Sequence, residues 1–420
     1  MKKLSVIVIG AGSRGKTYSE HMRMADGKYE IVAVAEPLTE RRNFIKEQNN
    51  LPEEMCFTDW RPLLEKGKIA DIAIIATMDR DHLAPSIEAL KLGYDLLLEK
   101  PIAPTNEECK EICETAEKLG RKVVICTVLR YTNLFKKLKE IIDSGEIGNI
   151  MSITHEECVG DVHQTHSFIR GNWGNEERSS FMLLQKSCHD IDILQWLIGK
   201  KCKKVQSFGA LTYFTKENAP EGAPDYCVEG CPHGEECPYN AVKLYYDDKE
   251  NLWFRGTSTK KPNPTDEEVM EAITKTQYGK CVFKCDNDVV DHQTCNLLFE
   301  DDVTVTFNMC AFNKGGRFIH IMGTKGELRA ATDGDSPIEK YIFSGAKEET
   351  VDITSGDGIT TGHGGGDSGI VNDFYAYLTG TYTGNSVPEI RESYINHATV
   401  FALEESRKTG KVIDVEEFIK

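Results

Sequence analysis

The sequence predicts an α/β protein whose first third is a parallel sheet with crossover helices. Three observations predict it. Apolar runs alternate with helical segments, a glycine-rich turn follows the first run, and an acidic residue ends the second. Leu4–Ile9 is a short, mostly apolar run that suits a strand buried on both faces. It runs into Gly10-Ala11-Gly12-Ser13-Arg14-Gly15, after which residues 18–24 suit a helix. Residues 31–35 form the second strand and end at Glu36. Further strands are expected at 69–77, 94–98 and 122–127, with helices at 81–92 and 106–119. This alternation gives parallel strands joined by right-handed crossovers.

The glycine turn has a chemical reading. Gly10 permits the tight turn, Gly12 lets backbone approach a pyrophosphate, and Gly15 lets the helix pack on the strand. The helix start, with Ser13 and Arg14, offers N–H groups to phosphates. Glu36, about 20 residues on, can accept from ribose hydroxyls and repels a 2′-phosphate. NAD is therefore favoured over NADP, although Arg41 and Arg42 keep NADP open. Strand, glycine turn, helix, strand and acid together describe a Rossmann unit. Its ligands bind beyond the carboxyl ends of the strands. Thr77, Asp79, His82, Glu99, Lys100 and Arg130 all fall there, and all but Asp79 are assigned to the cofactor.

Composition narrows the class. The 420 residues carry a net charge of −17 with 40% hydrophobic content, which suits a folded chain of two or three domains. The acidic balance argues against nucleic-acid binding, which needs clustered Lys and Arg. No run approaches the ~20 apolar residues of a membrane span. The run at 4–9 is interrupted by Ser5 and stops at Gly10, too short for an export signal. With fourteen cysteines in a chain that needs no disulfide staples, a cytoplasmic protein with reduced thiols is expected. Cys227, Cys231 and Cys237 lie close together beside His233, and Cys281 recurs later. A structural zinc on these four cysteines is expected, because such sites take four S or N ligands.

Gly10-Ala11-Gly12-Ser13-Arg14-Gly15, followed by Glu99-Lys100-Pro101 at the end of a later strand, resembles the Gfo/Idh/MocA oxidoreductases. His189-Asp190-Ile191-Asp192 and Arg130-Tyr131 extend the resemblance over essentially the whole chain. It implies an N-terminal Rossmann domain, placed at 1–128. It also implies a C-terminal open, mostly antiparallel sheet domain at 129–420, with a Cys-containing insertion about 215–285. Strands at 151–157, 205–214, 280–285, 292–300, 304–312 and 318–323 agree with that. The final segment is expected to pack on either domain. An exposed open sheet suggests a homo-oligomer, a dimer or tetramer.

The resemblance also implies roles. Lys100 hydrogen-bonds the reacting hydroxyl and stabilises alkoxide-like charge as hydride leaves. His189 is the general base, which an imidazole suits. Inositol-dehydrogenase-like members carry an Asp four residues before this His, where this chain has Gln185. Gln185 can orient a hydroxyl but cannot take a proton. Lys186 adds a second cation, favouring an anionic substrate or intermediate. Tyr131, His166, Arg170, Trp173, His292 and His363 complete the candidate substrate contacts, since pockets need a few convergent polar groups. The expected activity is NAD(P)-dependent oxidation of a secondary alcohol on a sugar, glycoside or cyclitol. A redox-neutral glycoside hydrolase, suggested by His363-Gly364-Gly365-Gly366-Asp367, and a non-catalytic dinucleotide-binding sensor are the alternatives.

Overall fold

The computed structural model describes residues 2–332, 336–353 and 363–420, the side chain of His363 excepted. The first unit alternates strands and helices in chain order. These are β1 (Leu4–Ile9), α1 (Ser13–Met24), β2 (Tyr29–Ala35), α2 (Thr39–Asn49), β3 (Cys56–Phe57), α3 (Trp60–Leu64) and β4 (Ile72–Ile75). They continue as α4 (Leu83–Leu92), β5 (Asp95–Leu98), α5 (Asn106–Leu119) and β6 (Val123–Ile125). Among the described residues the six strands pair in parallel in the order β3-β2-β1-β4-β5-β6. That is the doubly wound order, with its ligand crevice at the carboxyl ends of β1 and β4.

The second unit follows with α6 (Asn133–Ser144), β7 (Ile150–Cys158), the single turn α7 (Asp161–His163), α8 (Met182–Ile198) and β8 (Cys202–Ala210). An insertion then carries α9 (Leu252–Thr259) and α10 (Asp266–Lys275). The chain resumes as β9 (His292–Phe299), β10 (Thr304–Cys310), β11 (Gly316–Gly323), β12 (Gly326–Ala331), β13 (Ile338–Ile342) and β14 (Lys347–Val351). It closes with α11 (Gly366–Thr379), α12 (Ile390–Thr409), β15 (Ile413–Asp414) and α13 (Val415–Ile419). The nine strands among the described residues run β14-β13-β12-β11-β7-β10-β9-β8-β15, antiparallel except for the β7/β10 pair. The strand expected at 280–285 is a turn inside the insertion, linked to it by one bridge between Tyr226 and Lys280.

Period-2 alternation explains the layers. In the first sheet, Ile7, Ile9, Ala73, Ile75, Leu96 and Leu98 face one way, and Ile390, Tyr394 and Ala398 of α12 help cover them. Val6, Val8, Val34, Ile72 and Ile74 face the other way, where Tyr18 and Met22 of α1 meet Ile370, Val371 and Phe374 of α11. The late helices therefore complete a core begun hundreds of residues earlier. Burying a side chain of this size contributes about 1.5–3 kcal/mol. In the second sheet, Ile153, Leu297, Val305, Phe307 and Ile321 pack under Leu184, Ile191 and Leu194 of α8. The opposite face leaves Met151, Phe208 and Phe318 exposed. No helix among the described residues is long and apolar enough to cross a membrane.

Candidate active site

At the nucleotide end, Gly10 takes φ +88°, and a Cβ there would strike the Ala76 carbonyl. A Cβ on Gly15 would strike the Gly10 carbonyl, so the first helix can approach the turn only without one. A Cβ on Gly12 would meet only Arg41 Nη1 at 3.5 Å, which leaves the approach to this backbone open. No side chain caps α1 at Gly12, so its N-terminal amides suit a phosphate. Glu36 is buried at the end of β2, and its carboxylate accepts from Ala11 N at 2.7 Å and Leu38 N at 3.0 Å. These features fit a dinucleotide. Exposed Ser13 and partly exposed Thr77 border the same crevice, Thr77 Oγ1 donating to the Asp81 carbonyl.

Arg14 and Glu99, both assigned to the cofactor, bind each other. Arg14 Nε donates to Glu99 at 2.8 Å, and its Nη2 pairs with Asp367 of α11 at 2.6 Å. Tyr18 and the Lys100 amide also donate to Glu99. Burial raises the Glu99 pKa, but Arg14, Lys100 and these bonds outweigh it and hold the carboxyl below its ordinary value. The pair fixes the carboxyl end of β5, and so the base of Lys100, against the first helix.

Lys100 precedes a cis peptide to Pro101, and its Nζ donates to the Gln185 carbonyl at 2.8 Å. Gln185 lies one helical turn before His189 on α8, so the ammonium is anchored within a turn of the imidazole-bearing residue. The Gln185 side chain turns away: its amide donates to Asp79 at 2.5 Å and to Ser180 at 2.7 Å. Ser179 also donates to Asp79, which is buried. Position 185 lacks a carboxylate, but the Asp79 loop brings one to its side chain. That loop residue was not among the expected site residues.

A buried charge network lies beside this. Alternation on β7 points His155 and Glu157 to one face, and register places Arg317 of β11 opposite Glu157. Helical spacing puts Lys186 and Asp190 over the same face. Lys186 pairs with Glu157 at 3.3 Å, and Arg317 pairs with Glu157 at 2.5 Å and with Asp190 at 2.7 Å. His155 meets Asp190 at 2.8 Å. Two cations thus balance two carboxylates, and Lys186 does not make the site anionophilic as expected. Burial raises the Asp190 pKa, but Arg317 and His155 bring it down to about 2. Burial and Arg317 lower that of Lys186 against the pull of Glu157.

His163 adjoins the network and was also missed. Burial, then the positive charges of Lys186, Arg317 and Lys100, lower its pKa to about 2, so it is neutral. Its ring meets the edge of Trp253 at 5.2 Å and Phe168 at 5.8 Å. Neither Arg317 nor Trp253 had a usable sequence signal, because each reaches the site through a long-range register or an insertion.

Several expected contacts are structural instead. His82 is buried with its ring nitrogens against the carbonyls of Pro101 and Thr77, at 2.9 and 3.3 Å. Arg130 is fully buried in a two-pronged bond to Asp192 through Nε and Nη2 and an ion pair with Glu392, so these two nitrogens are committed to the protein. Tyr131 is buried in the core beside α11, closed off from substrate. His166 is buried, stacked on Phe254 at 4.0 Å and bonded to Tyr245, so it seats the insertion. Arg170 is buried too, donating to the carbonyls of Lys280 and Tyr239. His292 lies against Asp291 at 2.8 Å, which also accepts from the Thr212 and Tyr213 amides. Trp173 keeps a partly exposed indole. The side chain of His363 lies outside the described residues.

The zinc expectation is corrected. Cys227, Cys231, Cys237 and Cys281 line a cavity of about 220 Å³ beside Arg170. Among the described residues, however, no group of three or more His, Cys, Asp or Glu side chains is arranged to hold a metal. Arg170 Nη2 lies 3.6 Å from Cys227 Sγ, and a fixed cation there opposes a second one.

Comparison with known proteins agrees with this geometry. A model of an oxidoreductase family with an NAD-binding Rossmann fold matches residues 4–127. Its companion, the family's C-terminal alpha/beta domain, matches residues 139–415. YteT of Bacillus subtilis (strain 168) is 25% identical over 73% of this chain and 72% of its own length. Inositol 2-dehydrogenase of Salmonella typhimurium is 25% identical over 50% of this chain and 58% of its own. A levoglucosan dehydrogenase solved with NADH and levoglucosan shares the fold at TM-score 0.71 and 18% identity, over 99% of this chain and 100% of that one.

Proposed function

The chain belongs to the Gfo/Idh/MocA oxidoreductase family, and on that premise we propose that it oxidises a secondary alcohol of a sugar, glycoside or cyclitol with NAD. One observation carries the reading. The Lys100 ammonium is tied to a carbonyl one helical turn from His189, at the carboxyl end of a strand in the NAD-binding sheet. The bound nicotinamide supplies the hydride acceptor. Gly10, Gly12 and the amides of the first helix would hold its phosphates, and Glu36 would accept from the ribose.

The rest is work for this chain's own side chains. Lys100 donates to the reacting hydroxyl and stabilises its oxygen as negative charge develops there. His189 accepts the hydroxyl proton. The neighbouring charge network is balanced, so a neutral polyol is the better fit. The sugar dehydrogenases among its relatives and structural neighbours support the same substrate class.

The test is NADH formation at 340 nm by the purified protein with NAD and a panel of cyclitols, aldoses and glycosides. At least one should give stoichiometric NADH. A panel in which every member leaves NAD unreduced would sink the proposal.

A further inference from the structure

We propose that His82 and His397 are positioning residues for Lys100, gripping the peptide that follows it by both of its polar ends. This rests on the reading above, in which the Lys100 ammonium meets the reacting oxygen.

The observation is one peptide unit held between two buried imidazoles. The Pro101 carbonyl accepts from His82 Nδ1 at 2.9 Å. The Ile102 amide, the other end of the same peptide, donates to His397 Nε2 at 3.2 Å. Both rings are buried. They come from distant parts of the chain. His82 directly precedes α4, and its Nε2 lies 3.3 Å from the Thr77 carbonyl. His397 sits within α12, where its Nδ1 donates to the Ser393 carbonyl at 2.9 Å.

The chemistry fixes what each ring does. A carbonyl only accepts, so His82 carries a hydrogen on Nδ1. An amide N–H only donates, so His397 leaves Nε2 bare and carries its hydrogen on Nδ1. Residues 99–105 belong to no helix or strand, so the buried Ile102 amide has no ladder to join and needs a partner from elsewhere. Burial, which lowers the His397 pKa to about 4, keeps Nε2 free to accept at neutral pH.

The grip begins one residue from Lys100. On the other side, the Lys100 amide donates to the Glu99 carboxylate at 2.8 Å. Backbone is thus fixed both before and after the Lys100 Cα, and the side chain leaves it in one direction, towards the Gln185 carbonyl. A displacement of about 1 Å at a reacting group can cost 10²-fold in rate. The last long helix therefore reaches the reaction centre through a single hydrogen bond.

The experiment uses the full chain with NAD and a substrate found by the panel above. His397→Leu removes the acceptor and should lower kcat about 10- to 100-fold, with KM for NAD within about twofold of wild type. His397→Gln, whose amide oxygen can replace Nε2, should restore most of that loss. His82→Leu should act like His397→Leu, and His82→Asn, which can replace the Nδ1 donor, should restore it likewise. Adding His397→Leu to Lys100→Met should cost little more, because no ammonium is left to aim. Wild-type kcat in His397→Leu, a His397→Gln enzyme as slow as His397→Leu, or additive losses in the double variant would overturn the positioning role. Near-wild-type kcat in Lys100→Met alone would instead remove the reading beneath it. Two readouts need no turnover. In His397→Leu, hydrogen exchange across residues 99–104 should rise and labelling of Lys100 by acetic anhydride should increase several-fold, both returning towards wild type in His397→Gln. Unchanged exchange or unchanged labelling would overturn the grip even with no substrate in hand. If His397→Leu does not fold, His397→Asn, too short to reach Ile102, takes its place with the same outcomes.

Discussion

Lys100 gives the sharpest prediction at the scale of single residues. Its ammonium is positioned by a carbonyl rather than a carboxylate, so its full charge remains available to a substrate oxygen. Replacing it by Met should lower kcat by about 10²–10³, the usual loss for one donor to a developing oxyanion. The NAD dissociation constant should change little, because the phosphate-binding turn is built from β1 and α1. A Lys100→Met enzyme with near-wild-type kcat on an identified substrate would remove the assigned role. Part of this scale was legible in the sequence. Gly10 and Gly15 show their geometry locally, through φ and close approach, and Glu36 and Lys100 sit just after the strand ends where they were read. Arg130, Tyr131, His166 and Arg170 were misread because burial depends on what later segments lay over them. An arginine beside a strand end looks the same in sequence whether it meets a phosphate or Asp192.

At the scale of elements, Arg130 becomes a strut. It joins the turn after β6 to α8 through Asp192 and to α12 through Glu392, and Asn396 also donates to Asp192. Removing one member of a buried pair leaves the other charge uncompensated. Arg130→Met should therefore destabilise the protein by about 3–5 kcal/mol, read as a lower denaturant midpoint. An unchanged midpoint would refute the strut. The elements themselves were legible where apolar runs were strong, as in five of the six parallel strands; the two-residue β3 carries no such run. The turn at 280–285 was read as a strand because its β-rich composition is local, while its single bridge to Tyr226 offers no ladder to join. The charge network on β7, β11 and α8 was invisible for a related reason. It exists only once register sets Glu157 against Arg317.

At the scale of the whole molecule, burial of neutral imidazoles sets the acid limit. Burial brings the pKa of His397 down to about 4 and that of His166 to about 3, and burial with nearby cations brings His163 to about 2. Each lies below its unfolded value, so each contributes stability that is fully present above about pH 6.5 and lost as pH falls towards the folded value. Between pH 6.5 and 5 the loss is about 2 kcal/mol per buried histidine. Asp190, depressed to about 2, adds a further loss below about pH 4. Thermal melts across pH 4–8 should show stability falling from about pH 6.5 downward, and His397→Gln should flatten part of that slope. A melting temperature constant from pH 7 to 5 would contradict it.

The return of α11 and α12 to the first sheet also bears on how the protein is made. Strand β6 ends at Ile125, but the helices that cover both faces of its sheet begin at Gly366 and Ile390. A ribosome adding 5–20 residues per second needs roughly 10–50 s to bridge that interval. Throughout it, the apolar faces around Ile75 and Val8 are partly open to water. The covering of the first sheet is thus complete only after α12 has emerged.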